Sequence, residues 1–278
     1  MIGGRVAYHS GMFTRALALL LLSQLAVFGS VARAEDSVFI DDLTSTELQV
    51  LVRDGRTIAL VPIGGTEQNG PHMALGKHNV RVKALAEKIA RTLGNALVAP
   101  VIAYVPEGGV NPRTSHMRFA GTLTVPAATF ESVLEYAARS LRASGFRDIF
   151  FVGDHGGYQR SEEAVAQRLN REWAGSPARA HALTEYYRVI ETQYRQALKS
   201  RGFTDAEIGT HAGVADTSLA LAIDPRLVRA AQLTSASSLD AAHGVYGDPR
   251  RASAEAGAAG VDLIVRESVA AIRRSVAR

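Results

Sequence analysis

Residues 57–63, TIALVPI, run without a break into GGTEQNGPHMALGKHN at 64–79, and residues 148–152, DIFFV, run into GDHGGYQ at 153–159. Each pair is a short, nearly continuous apolar stretch followed by a loop of glycines, histidines and acids. A strand that is apolar at every position is covered on both faces, as in a parallel sheet between helices. Loops at the carboxyl ends of such strands are where α/β proteins gather their ligands. Titratable side chains placed there are costly unless something pairs with them.

The intervening segments have helical spacing. Thr44, Ser45, Thr46 and Glu47 read as a capping box opening a short helix through Val52, with Asp54 and Gly55 as its stop. Residues 79–93 form a helix with Val80, Leu85, Ile89 and Leu93 on one stripe, and residues 127–143 and 159–173 form two more. Residues 96–104 read as a strand, 122–125 and 180–184 as short ones, and 186–199 as a helix. Residues 254–276 read as a terminal helix softened by Gly257 and Gly260. Strands alternating with helices of this length predict an α/β fold with a mostly parallel sheet between helical layers. No linker divides residues 35–278, so a single domain is expected.

Composition narrows the chemistry. With 47% hydrophobic and 21% charged residues the chain is globular, and with no cysteine it has no thiolate site, disulfide or cysteine nucleophile. A metal would have to be held by imidazole, carboxylate or amide oxygen. The net charge of +4 comes largely from the first 34 residues, which carry Arg5, Arg15 and Arg33 and no acid. An apolar run at 16–28 precedes Ala32-Arg33-Ala34 there, the layout of a secretory signal cleaved before Glu35. Without those three arginines the charge falls to about +1, and no basic stripe interleaved with aromatics remains to bind nucleic acid. The expectation is an exported, periplasmic protein with no membrane anchor once cleaved. There is no G-x-G-x-x-G, no Walker motif and no G-x-S-x-G elbow.

The residues able to carry chemistry are Glu67, His72 and His78 in the first loop, Asp154 and His155 in the second, and His211 with Asp216 in HAGVADTSLALAI. Glutamate and histidine suit zinc or manganese where thiolate is lacking. Each residue also has a plainer role open to it. Glu67 can be satisfied by backbone amides, His72 reads as a structural histidine, and His78 can simply position the next helix. Asp154 can cap the helix near Gln159, join a metal shell or, the favoured reading, orient His155. His211 can be a turn residue and Asp216 a helix cap. His116, with Arg118 and Phe119 in TSHMRFAG, reads as structural.

Several ordered motifs, GGTEQNGPHMALGKH, FAGTLTV, RSLRASGFRDIFFVGDHGG, HAGVADTS and GVYGDPRRASAEAG, resemble those of the creatininase (creatinine amidohydrolase) family from about Ile58 onward. The resemblance implies a three-layer α/β/α sandwich, metal-dependent hydrolysis of small amides and a homo-oligomer. Carried over by position, it implies Glu67 and His155 as metal ligands and His211 as a proton shuttle. The family's first-loop histidine is Asn69 here, its bridging aspartate is His78, and its acid in the HAG segment is Asp216. A single tightly held divalent ion, zinc before manganese, on Glu67, His78 and His155 with Asp216 or water is therefore expected, with His211 and Asp154 serving catalysis. The expected function is cleavage of a C–N amide bond in a small or cyclic substrate. A degraded family member that only binds metal or ligand, and a lactone hydrolase, are the alternatives.

Overall fold

The computed structural model describes residues 37–233 and 239–277, together with Met1, Gly3 and Gly4. The expected secretory segment thus falls almost wholly outside the described residues. No helix among those described is long and apolar enough to cross a membrane.

The chain forms helix α1 (Ser45–Arg53), strand β1 (Ile58–Ile63), helix α2 (Lys77–Leu93), strand β2 (Ala96–Val98), helix α3 (Ala127–Ala143), strand β3 (Asp148–Gly153), helix α4 (Gln159–Glu172) and strand β4 (Arg179–Ala182). There follow α5 (Thr184–Val189), a π-helical turn (Ile190–Tyr194), α6 (Arg195–Ser200), α7 (Asp205–Ile208), α8 (Val214–Ile223), α9 (Ala230–Leu233) and α10 (Ala254–Val276). The sheet order is β2-β1-β3-β4, and every pairing is parallel. All six residues of β1 are buried because it lies between β2 and β3 with helices on both faces.

Successive strand residues point to opposite faces, so two cores form. Leu60, Val98 and Phe150 pack with Leu85 and Ile89 of α2, Leu219 of α8 and Ile264 of α10. Ala59, Val61 and Phe151 pack with Phe130 and Leu134 of α3 and Val165 and Leu169 of α4. Each such Leu, Ile or Phe is worth about 1.5–3 kcal/mol in removal from water. The three-layer α/β/α sandwich is the observed architecture. Thr44 caps α1 through a reciprocal capping box with Glu47.

Four expectations change in detail. Helix α2 begins at Lys77 rather than Asn79, and Val80 is exposed, 39% accessible. Its buried face is Lys77, His78 and Arg81 followed by Val82, Leu85, Ala86 and Ile89, so the stripe continues into charged residues that an apolar periodicity cannot register. Strand β2 stops at Val98, because Pro100 has no N–H for the ladder; beyond it Ala99 N bonds Leu60 O at 2.8 Å and Ile102 bridges to Ile63. Residues 122–125 are not a strand but are tied singly, Leu123 N to Thr66 O at 2.9 Å and Val125 N to Val105 O at 3.2 Å. Gly257 and Gly260 are contact points in α10, not soft ones. A Cβ would stand 1.9 Å from Ser218 O at Gly257 and 2.7 Å from the Tyr194 ring at Gly260. Close approach of α8 and the π turn offsets the roughly 0.5–1 kcal/mol that each helical glycine costs.

Candidate metal centre

Three strand ends supply the site. The loop after β1 carries Glu67, the extended segment after β2 carries Glu107, and β3 ends at Gly153 just before Asp154 and His155. Glu67 is held rigidly from its neighbours. Its N–H bonds Leu75 O at 3.1 Å, Asn69 Nδ2 donates to its carbonyl at 2.9 Å, and Gln68 N bonds Thr122 Oγ1 at 3.1 Å. Asn69, at the family's histidine position, also donates to Ala74 O at 3.2 Å and thereby braces the loop. Gly65 adopts φ 145°, and a Cβ there would stand 3.0 Å from Glu107 Oε1, so only glycine leaves this path open.

Four imidazoles surround the Glu67 carboxylate. His78 Nε2 lies 2.8 Å and His211 Nδ1 3.8 Å from Oε1; His116 Nδ1 lies 3.3 Å and His155 Nε2 3.8 Å from Oε2. Glu107 completes the far side, with Oε1 4.0 Å from His155 Nδ1. One donor atom from each of Glu67, Glu107, His116 and His155 lies within 4.8 Å of the others. Glu67 Oε2 and both oxygens of Glu107 are buried without a hydrogen-bond partner among the described residues.

The electrostatics match a cation site. Burial and the adjacent Glu67 push the Glu107 carboxyl up to about 9. Against the cost of burial, His78, His155 and Lys77 hold Glu67 well below the usual carboxylate range. Burial lowers His155 to about 4 and His211 to about 3, and it lowers His116 as well, so these rings are neutral donors. Two carboxyls forced together beside neutral imidazoles fit a divalent ion such as zinc or manganese, which would let both ionise. The residues that would hold it are Glu67, Glu107, His116 and His155.

The sequence candidates divide between this group and a neighbouring network. Glu67 and His155 lie in the group. His78 touches it through Glu67, but its other nitrogen bonds Asp154 Oδ2 at 2.6 Å, so both nitrogens are engaged. Asp154 does not orient His155, whose Nδ1 takes its hydrogen bond from Gly157 N at 3.1 Å. Asp154 instead accepts from His78, from Arg81 Nε at 2.8 Å and from Tyr186 OH at 2.7 Å. Asp216 lies apart from the group, because it pairs with Lys77 Nζ and Arg81 Nη1, both at 3.0 Å, and accepts from Ala212 N. His211 faces Glu67, and its Nε2 donates to Gln68 O at 3.0 Å, which leaves Nδ1 as the free lone pair. Its backbone pairs with Tyr246, so the segment at 245–248 buttresses it. His72 bonds Thr217 at 3.0 Å away from the group, the structural role expected of it.

Sequence reading missed Glu107, Lys77 and Arg81 and placed His116 among the structural residues rather than in the site. The signal for Glu107 was available: it follows the β2 stretch in VPEGG, the same strand-then-glycine-loop arrangement as the other two. A structural marker accompanies two of the histidines. Ser115 and Ala212, the non-glycine residues with left-handed φ among those described, directly adjoin His116 and His211. Such conformations cost about 1–3 kcal/mol and cluster at functional sites.

Beside the group opens a cleft of about 130 Å³ whose walls include Lys77, His78, His155, Tyr187, Thr210 and His211. The π turn supplies Ile190 and Glu191 to it.

A histidine–carboxylate group at the carboxyl ends of parallel strands makes this an α/β protein with a candidate metal centre. The family model for creatininase, described as creatinine amidohydrolase, matches residues 41–272, and the chain belongs to the creatininase family. It is 29% identical over 202 residues to creatinine amidohydrolase of Pseudomonas putida, covering 69% of this chain and 74% of that one. It is 33% identical over 134 residues to a mycofactocin precursor peptide peptidase of Mycolicibacterium smegmatis, covering 46% of this chain and half of the relative. Solved creatininases, a mutant of Zn-Zn type and a Mn form, superpose with TM-scores of 0.71 and 0.70 at 26% identity. Each covers 87% of this chain and 100% of its own.

Proposed function

We propose that the chain is an exported, homo-oligomeric amidohydrolase that cleaves a C–N amide bond in a small or cyclic substrate with one divalent ion, zinc before manganese, at the Glu67 group. The observation that carries the reading is the set of Glu67, Glu107, His116 and His155 donors within 4.8 Å, with Glu107 buried and bare. Bound there, such an ion supplies Lewis-acid polarisation of a carbonyl and a water of lowered pKa.

The chain's own groups do the remainder. Glu67 and Glu107 supply the negative charge that retains the ion. His211, with Nδ1 free and its other nitrogen fixed on Gln68 O, is placed to take a proton and pass it to the leaving nitrogen. Asp154 keeps His78 turned toward Glu67. The cleft of about 130 Å³ suits a small substrate rather than an extended peptide. The peptidase relative supports a second reading, a short peptide end as the amide, which the same assay resolves.

The test has three parts: amino-terminal sequencing and light scattering of protein recovered from fractionated cells, metal content of that protein, and turnover on cyclic amides, linear amides, short peptides and lactones. An amino terminus at Glu35, an oligomer mass, bound metal and amide turnover are expected. Turnover on lactones alone would make the protein a lactone hydrolase, and metal without turnover on any of these substrates would mean that it only binds.

A further inference from the structure

Lys77 is the least expected residue of the site. It opens α2, where the helix dipole already places positive charge and where the first turn holds no acid. Its side chain is 1% exposed, and Arg81, one turn on, is equally buried. The Lys77 ammonium lies 3.0 Å from Asp216 Oδ2 but makes no well-directed hydrogen bond among the described residues. It also forms part of the cleft wall together with His78, His155 and His211. An ammonium has three donors and no acceptor, so donors remain for an oxygen entering the cleft.

Its field reaches the whole centre. Lys77 lowers Glu67 and Asp216, and it acts against protonation of His116, His155 and His211. Charge counting points the same way. Four carboxyls, Glu67, Glu107, Asp154 and Asp216, face two fixed cations, Lys77 and Arg81. Whether His78, which bonds a carboxylate through each ring nitrogen, holds one proton or two, one divalent ion leaves this buried space within one charge of neutrality, whereas two would leave an uncompensated charge of at least two.

We propose that Lys77 is the second cation of this site: its ammonium, paired with Asp216 and facing the cleft, occupies the electrostatic place of a second metal ion, keeps the centre mononuclear and offers its free donors to a substrate oxygen. The inference rests on the one-ion reading of the function above and names the residue that enforces it. Asp216, at the family's acidic position, is thereby committed to Lys77 and Arg81 instead of to a metal.

The experiment is a zinc titration of the chelated full chain, with bound zinc counted by elemental analysis after gel filtration and folding checked by thermal melting. Wild type is expected to saturate at one zinc per chain. Lys77→Ala removes the charge and opens space beside Asp216 and His211, and is expected to take up a second zinc. Lys77→Gln, which keeps the length without the charge, is expected to do the same more weakly and serves if the alanine variant does not fold. Lys77→Arg keeps the cation and should stay at one. Two zinc ions in wild type would overturn the proposal but leave the hydrolase reading intact, and no zinc in wild type would overturn both. A single zinc in both Lys77→Ala and Lys77→Gln would show that Lys77 does not set the count.

Discussion

Asp154 and Glu67 each follow a buried parallel strand, each is fully buried, and His78 bridges them, yet their oxygens meet different fates. Asp154 Oδ1 accepts from Tyr186 and Arg81, and Oδ2 accepts from Arg81 and His78. Among the described residues, Glu67 has His78 on one oxygen and no hydrogen bond on the other, and Glu107 beside it has none. The Asp154 region is a closed network in which protein cations neutralise protein anions. The Glu67 region is open, with acids and neutral imidazoles that balance only when a cation arrives. Buried charge alone therefore does not mark a functional site. What marks it is buried charge left without a partner while donor atoms of the right kind converge on it.

The largest expected effect falls in the open region. Glu67→Ala should abolish stoichiometric zinc binding and lower turnover by about a thousand-fold or more, since several kcal/mol of transition-state stabilisation leave with the ion. Elemental analysis and steady-state rates check this, and a cooperative melt of the variant shows that the loss is of the ion and not of the fold. Retention of zinc by this variant would erase the distinction between the two regions.

The closed region should behave oppositely. Arg81→Met strands Asp154 and weakens the hold on Asp216, and breaking a buried pair in this way costs about 3–5 kcal/mol. Urea unfolding measures the loss, and the portion that folds should still bind zinc. If Arg81→Met instead loses zinc with full stability, the network belongs to the metal centre.

The smallest effect sharpens the rule. Glu162 of α4 is another buried carboxyl, with neither oxygen hydrogen-bonded and no cluster of histidines beside it among the described residues. Burial, and after it the nearby Glu163, raises it well above the ordinary carboxylate range. A folded-state pKa above the unfolded one adds stability that is complete below the unfolded value and is lost as pH rises toward the folded value. Glu162→Gln removes that dependence. Its melting temperature should exceed wild type by a few degrees at pH 8 and match it near pH 4, with metal content unchanged.

How much of this could be read in the chain follows from the range of the forces involved. The buried strands 58–63 and 148–153, the capping box at Thr44 and the helix over 254–276 were legible because apolar period and turn chemistry are local properties. So was the candidacy of Glu67 and His155, each directly after such a strand. The exposure of Val80 and the burial of Lys77 and Arg81 were not, because they depend on Asp154 and Asp216 arriving from distant segments to neutralise the end of α2. Glu107 and His116 became part of the centre only when the segments at 105–107 and 115–118 folded over the β1 loop. Residue type and position thus settle which side chains can hold a metal. Only packing, which decides whose charge is already neutralised by a neighbour, settles which of them are left free to do so.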